Sequence, residues 1–208
     1  MKPYRSRKYR TREPLKHLVI VCEGEDTEVT YFSHYKNRRY SGVRIEVRSD
    51  RGNDPVGLVK YALKRITDSK DPLDMAKGDR IWCVFDADNH NQEELEKAIG
   101  MARPNIELAL SVPCFELWFI LHFRMHTTRL NADDTCHILE KLIPGYFKGM
   151  DIFDLILQSR DTAMINSDRL KSRSSRFRPH IDNNPSTMVH LLVEEIIEIL
   201  NKNRQHLD

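Results

Sequence analysis

No stretch of this 208-residue chain approaches the roughly 20 consecutive apolar residues that a membrane span requires. The amino terminus is basic, but no apolar segment of signal-peptide type follows it. The chain is therefore expected to be cytoplasmic and without a membrane association. The four cysteines, Cys22, Cys83, Cys114 and Cys136, are widely spaced and form no C-x-x-C pair, which argues against a zinc ribbon or a dithiol redox site. They are expected to be reduced thiols, mostly in the core. No G-x-x-x-x-G-K-[ST] loop is present, so ATP hydrolysis of the P-loop kind must come from another protein. A strong overall field is missing as well, since 33 Lys and Arg face 31 Asp and Glu for a net charge of +2. With 40% hydrophobic and 31% charged residues, the chain reads as one polar globular domain with embellishment, long enough to bury a substantial core.

What the chain does contain is two apolar runs of strand length that each end in acid. Residues 81–85 (Ile-Trp-Cys-Val-Phe) run into Asp86-Ala87-Asp88, and residues 18–22 (Leu-Val-Ile-Val-Cys) run into Glu23-Gly24. Continuous apolar runs of this length suit strands covered on both faces. If the extended conformation persists, Asp86 and Asp88 point to the same side, about 6.5 Å apart. Ligands of open α/β sheets bind at the carboxyl ends of the strands. Neighbouring strands would therefore bring Glu23, Asp86 and Asp88 together. Three acids so close raise one another's pKa values unless a cation compensates them, and oxygen-only ligands suit Mg²⁺ or Mn²⁺. The plainer alternative is a pair of solvated acids capping the next helix.

Elements around these runs alternate. A helix is expected from Thr27, a half-buried strand at 43–47, a helix opened by Asp54-Pro55, a helix at 92–101, a strand at 106–110 and a helix at 114–123. This predicts an α/β core over 17–123 with a mostly parallel four-stranded sheet flanked by helices. Residues 124–208 read as an all-helical extension, with helices at 133–143, 152–170 and 185–200, and residues 1–16 as a basic flexible arm.

Glu116 falls in the first turn of the 114–123 helix, at the same end of the sheet as the other acids and inside an apolar block where an acid needs a partner. Glu116 is expected to complete the catalytic set of Glu23, Asp86 and Asp88. Glu25 ranks second as an outer ligand, although Glu25, Asp26 and Glu28 also suit a helix amino terminus with no further task. His122 is kept as a secondary base or ligand, against the commoner fate of a hydrogen-bonded core histidine. Two basic clusters stand ready for phosphate: Arg5, Arg7, Lys8 and Arg10 in the arm, interleaved with tyrosine, and Arg173, Arg176 and Arg178 in a second stretch. Both also read as plain solvated surface.

The blocks Glu23-Gly-Glu-Asp-Thr-Glu-Val-Thr-Tyr-Phe32, Val84-Phe-Asp-Ala-Asp88, Ser111-Val-Pro-Cys-Phe-Glu-Leu-Trp118 with His122-Phe123, and Asn184-Pro-Ser-Thr187 together resemble the RloB-like family. The E-G and D-x-D elements alone are similar to the Toprim domain of topoisomerases, primases and the overcoming-lysogenization-defect nucleases. The RloB-like resemblance implies a Toprim-like, Rossmann-like core and metal-dependent phosphodiester chemistry on nucleic acid. It also implies a partner ATPase in bacterial anti-phage, abortive-infection or restriction-linked systems, and it leaves a homo-oligomer open. The expected activity is that of a Mg²⁺- or Mn²⁺-dependent endonuclease acting on DNA or RNA. The alternative is a non-catalytic subunit that binds nucleic acid and the ATPase around a structural Mg²⁺. Haloacid-dehalogenase phosphotransferases also carry D-x-D after a strand, but His90 stands where their motif has Thr or Val. A glycosyltransferase D-x-D would leave the strand-terminal E-G unexplained.

Overall fold

The computed structural model describes residues 16–36, 43–49, 54–68, 70–88, 90–173 and 180–204. Its strands are β1 (Lys16–Cys22), β2 (Val43–Ser49), β3 (Arg80–Asp86), β4 (Glu107–Val112) and β5 (Ser186–Thr187). They form one sheet in the order β2-β1-β3-β4-β5, parallel except for the antiparallel β4–β5 pair. The sheet thus has five strands rather than the expected four, and the fifth comes from the segment expected to be helical throughout. Two residues are too short to leave a periodic signal. The Asn184-Pro185 start signal is followed first by β5, where Thr187 Oγ1 lies 3.0 Å from Ser111 Oγ. The helix begins only afterwards, with Thr187 Oγ1 accepting from Val189 N–H at 3.2 Å.

The helices are α1 (Thr27–Lys36), α2 (Pro55–Ile66), α3 (Gln92–Ala102), α4 (Glu116–Phe123), α5 (Ala132–Leu142), α6 (Phe153–Ile156), α7 (Arg160–Arg173) and α8 (Val189–Arg204). Their starts are chemically explicit. Asp54 Oδ1 accepts from Gly57 N–H at 2.7 Å, with Pro55 as the first helical residue of α2. Asn91 with Glu94, and Asn131 with Asp134, form reciprocal capping boxes on α3 and α5. The single helix expected over 152–170 is two helices joined by a 3₁₀ turn at Leu157–Ser159. Phe153, Ile156, Ala163 and Leu170 are buried on both sides of that turn, so one apolar periodicity runs through it and conceals the break.

Strand alternation divides the interior. Val19, Val21, Ile81, Cys83 and Phe85 face one side, covered by α2 and α3. Leu18, Ile20, Cys22, Trp82 and Val84 face the other, sharing a core with α1, α4 and the helices beyond residue 124, including Val189, Leu192 and Val193 of α8. Trp82 Nε1 donates to Glu195 Oε2 at 2.6 Å, tying α8 to β3. Asn166 Nδ2 of α7 donates to Leu121 O of α4 at 2.9 Å.

At the β2 edge, Glu46 accepts from Arg65 Nε at 3.1 Å and Nη2 at 3.2 Å, and from Arg48 Nε at 2.9 Å. Burial alone would raise the Glu46 carboxyl, but the Arg65 and Arg48 hydrogen bonds overcome it and hold the group at about 2. A depressed carboxyl contributes stability that is present above its unfolded value and lost as pH falls through the folded one. Arg65→Ala, which breaks the partly buried pair, is expected to cost about 3 kcal/mol in urea unfolding at pH 7. The difference from wild type should close as the pH falls from about 4.5 toward 2; a pH-independent difference would show that Arg65 acts by packing alone.

Candidate functional site

The chain leaves β1 and β3 side by side, because Cys22 is in register with Val84. Glu23 N–H donates to Val84 O at 3.0 Å, and Asp86 N–H donates to Glu23 Oε2 at 3.2 Å. The sheet order reverses here, since β1 has β2 on one side and β3 on the other. On the far side of β3, Asp86 is in register with Ser111 of β4. The turn that follows β4 delivers Glu116 as the first residue of α4, only 1% exposed, where Glu116 Oε1 accepts from Thr27 Oγ1 at 3.4 Å. The four expected acids, Glu23, Asp86, Asp88 and Glu116, line one pocket of about 380 Å³. Glu25 lines it too.

Sequence reading missed three members of this neighbourhood. Glu28, treated as a helix-dipole acid, is 6% exposed and lines the pocket. A Cβ on Gly24 would run into the Glu28 carboxylate, which accounts for the glycine after Glu23: its bare backbone leaves room for that side chain to lie across it. Lys148 also lines the pocket, from a loop shaped by Gly145 and Gly149 at φ +86° and +85°. Its signal in the sequence was that pair of glycines, with nothing to say which element they faced. His90 Nε2 donates to Glu23 Oε1 at 2.7 Å. The hydrogen bond to Glu23 raises the His90 pKa against the opposing effect of burial.

Crowding governs the electrostatics. Asp86 Oδ1 is buried with no hydrogen-bond partner. Burial, followed by Glu28, Glu116 and Asp88, pushes the Asp86 carboxyl well up, while the Phe115 N–H opposes the shift. Glu28 is raised to about 7 by burial and then by Glu116 and Glu23, against its own backbone hydrogen bond and Lys148. Asp88 is raised by burial and by Glu23 and Glu116, with Lys148 and His90 opposing. Burial works against the charge on Lys148, but Glu116 and Asp86 outweigh it and raise the ammonium's pKa.

His122 lies elsewhere. It is 3% exposed, its Nδ1 donates to Trp118 O at 2.9 Å, and burial lowers its pKa to about 4. It is a neutral core histidine and does not line the acidic pocket. Arg173, exposed at the end of α7, lines a separate depression. Arg5, Arg7, Lys8, Arg10, Arg176 and Arg178 lie outside the described residues.

A family model of the RloB-like protein matches residues 18–196. The chain belongs to the RloB-like family. The RloB-like match takes in every residue that lines the acidic pocket, Lys148 included. No curated protein and no solved structure matches the chain.

Three raised carboxyls, Asp86, Glu28 and Asp88, mean that the folded RloB-like chain keeps protons there that the unfolded chain releases, so their contribution to stability falls as pH rises. In EDTA the carboxyls' contribution to the melting temperature should decline between pH 5 and pH 8, against the opposite contribution of His122, whose lowered pKa stabilises the fold as pH rises. Glu28→Gln should raise the melting temperature at pH 8 by roughly 2–6 °C and change it little at pH 5. Equal destabilisation at both pH values would place Glu28 outside the crowded set.

Proposed function

We propose that the acidic pocket hydrolyses a nucleic-acid phosphodiester with Mg²⁺ or Mn²⁺, as the Toprim-like effector of a bacterial defence or restriction-linked system that includes a partner ATPase. Asp86 Oδ1 carries the proposal: a buried carboxylate oxygen without a hydrogen-bond partner, at the end of β3, among acids that raise its pKa. An unpaired buried charge is costly, and a cation is the compensation that an oxygen-only set would take. Parallel β1 and β3 with E-G after the first and D-x-D after the second support the Toprim-like assignment. The ATPase rests on the family resemblance and on the absent P-loop.

Asp86, Asp88 and Glu23 are the residues that would hold the ion. Among the described residues, no group of three or more His, Cys, Asp or Glu side chains stands close enough to hold a metal as it is. Binding therefore requires the carboxylates to draw together. The donor chemistry fits a hard divalent cation, which would polarise a phosphoryl oxygen and make water a better nucleophile when bound. Glu23 is oriented from both sides, by the Asp86 N–H and by His90, which suits it to take a proton from attacking water. Glu116 and Glu28 hold the inner wall of the pocket, and Lys148 supplies a positive charge at its rim.

Lys148 also favours a second reading. A lysine among carboxylates offsets their charge without an ion, as a non-catalytic subunit would need. The test offers DNA and RNA pools to the protein, with and without its ATPase and nucleotide, in Mg²⁺, Mn²⁺ or EDTA. Asp86→Asn, Asp88→Asn and Glu23→Gln should each reduce metal-dependent cleavage by 100-fold or more while the variants remain folded. No cleavage by wild type under any condition, with Mg²⁺ still raising its melting temperature, would favour the binding subunit instead.

A further inference from the structure

The acidic pocket does not stand alone. A second depression of about 510 Å³ adjoins it and shares Asp88 with it, while a third of about 210 Å³ shares Asn184 with the second. Asp88 and Asn184 are thus the divides between successive hollows on one surface. The first hollow carries Lys148, the second Arg129 and the third Arg173, each exposed. One cation per hollow suits contacts to several phosphates along a strand rather than a single anion site.

The middle hollow is suited to something other than phosphate. Val112, Pro113, Leu130 and Ile181 give it an apolar floor, while Asp133 and Asn131 stand at the start of α5. A carboxylate there disfavours a bare phosphate and can accept from the exocyclic amino group of a base. The volume falls in the roughly 300–1,000 Å³ range of small-ligand sites. Its walls are held in place. Asn184 Oδ1 accepts from Leu130 N–H at 2.9 Å and its Nδ2 donates to Leu130 O at 2.7 Å, clamping two loops together. The Asn131–Asp134 capping box fixes the start of α5. A base paired inside a duplex cannot enter such a hollow, whereas an unstacked base can.

We infer that the three hollows form one track for a single-stranded nucleic-acid segment, with an unstacked base in the middle hollow and its flanking phosphates held by Arg129 and Arg173. The track deepens the nuclease proposal and rests on it, because it leads a strand directly past Asp88 into the acidic pocket. DNA and RNA share the chemistry it reads, and the two are separated by testing both.

Labelled single-stranded 12-mers of DNA and of RNA, and a duplex of the same sequence, are titrated by fluorescence anisotropy in Mg²⁺. The Asp86→Asn background is used so that no strand is cut. Arg129→Gln and Arg173→Gln should each weaken single-strand binding at least 5-fold and lower the log–log salt slope by about 0.7. Lys97→Gln, on α3 and lining none of the three hollows, should leave both unchanged. In the cutting protein the arginine changes should raise KM more than they lower kcat. Single-strand binding and cleavage at wild-type levels in both arginine variants would overturn the track and leave the nuclease proposal intact. Arginine-dependent single-strand binding without any cleavage by wild type would support the track and remove the nuclease. A duplex bound as tightly as the single strand, with the same dependence on Arg129, would overturn the single-strand assignment.

Discussion

Mutual repulsion among buried carboxylates is the constraint around which this molecule is arranged. Asp86 sits at the end of a central strand with one oxygen orphaned, and Glu23, Glu28, Asp88 and Glu116 share its pocket. Repulsion of that kind persists only where the backbone imposes it. Here the register of Cys22 with Val84 and of Asp86 with Ser111 imposes it, because parallel pairing aligns three chain exits at one end of the sheet. The surroundings then moderate the charge piecemeal. Phe115 N–H acts on Asp86, Asp86 N–H and His90 act on Glu23, Thr27 acts on Glu116, and Lys148 stands at the rim. Hydrogen bonds to the charged form and a nearby cation each favour ionisation, but burial and like charge still outweigh them at Asp86 and Glu28.

Much of this was legible in the sequence because two signals coincided. Five-residue apolar runs can form strands covered on both faces, and both ended in acid, so the convergence of Glu23, Asp86 and Asp88 on one pocket was readable from the sequence. Glu116 was legible for a different reason, as a charge inside the block Cys114-Phe115-Glu116-Leu117-Trp118 where plain solvent was implausible. The cap of α2 was equally readable, since Asp54-Pro55 carries its own chemistry.

The remainder was illegible for physical reasons that differ from residue to residue. Glu28 has the composition of an ordinary helix-start acid, and only the bare backbone at Gly24 allows its carboxylate to turn inward. Lys148 reaches the pocket from a segment more than 30 positions beyond Glu116, and such long-range approach leaves no periodic trace. His90 was noticed only as the wrong residue for another family's motif, yet it is hydrogen-bonded to Glu23. His122 stood in a family block but spends its ring nitrogen on the turn behind it. The two residues of β5 fell below the length at which alternation can be recognised.

The face of the sheet that carries Leu18, Ile20 and Val84 shares its cover with Val189, Leu192 and Val193 of α8. During synthesis, the first strand therefore emerges more than 160 residues before the helix that will cover it. A nascent chain halted after α4 would hold its acids on a half-clad sheet, with apolar strand surface open to water on one side. The architecture that presents Asp86 is completed only once α8 has left the ribosome.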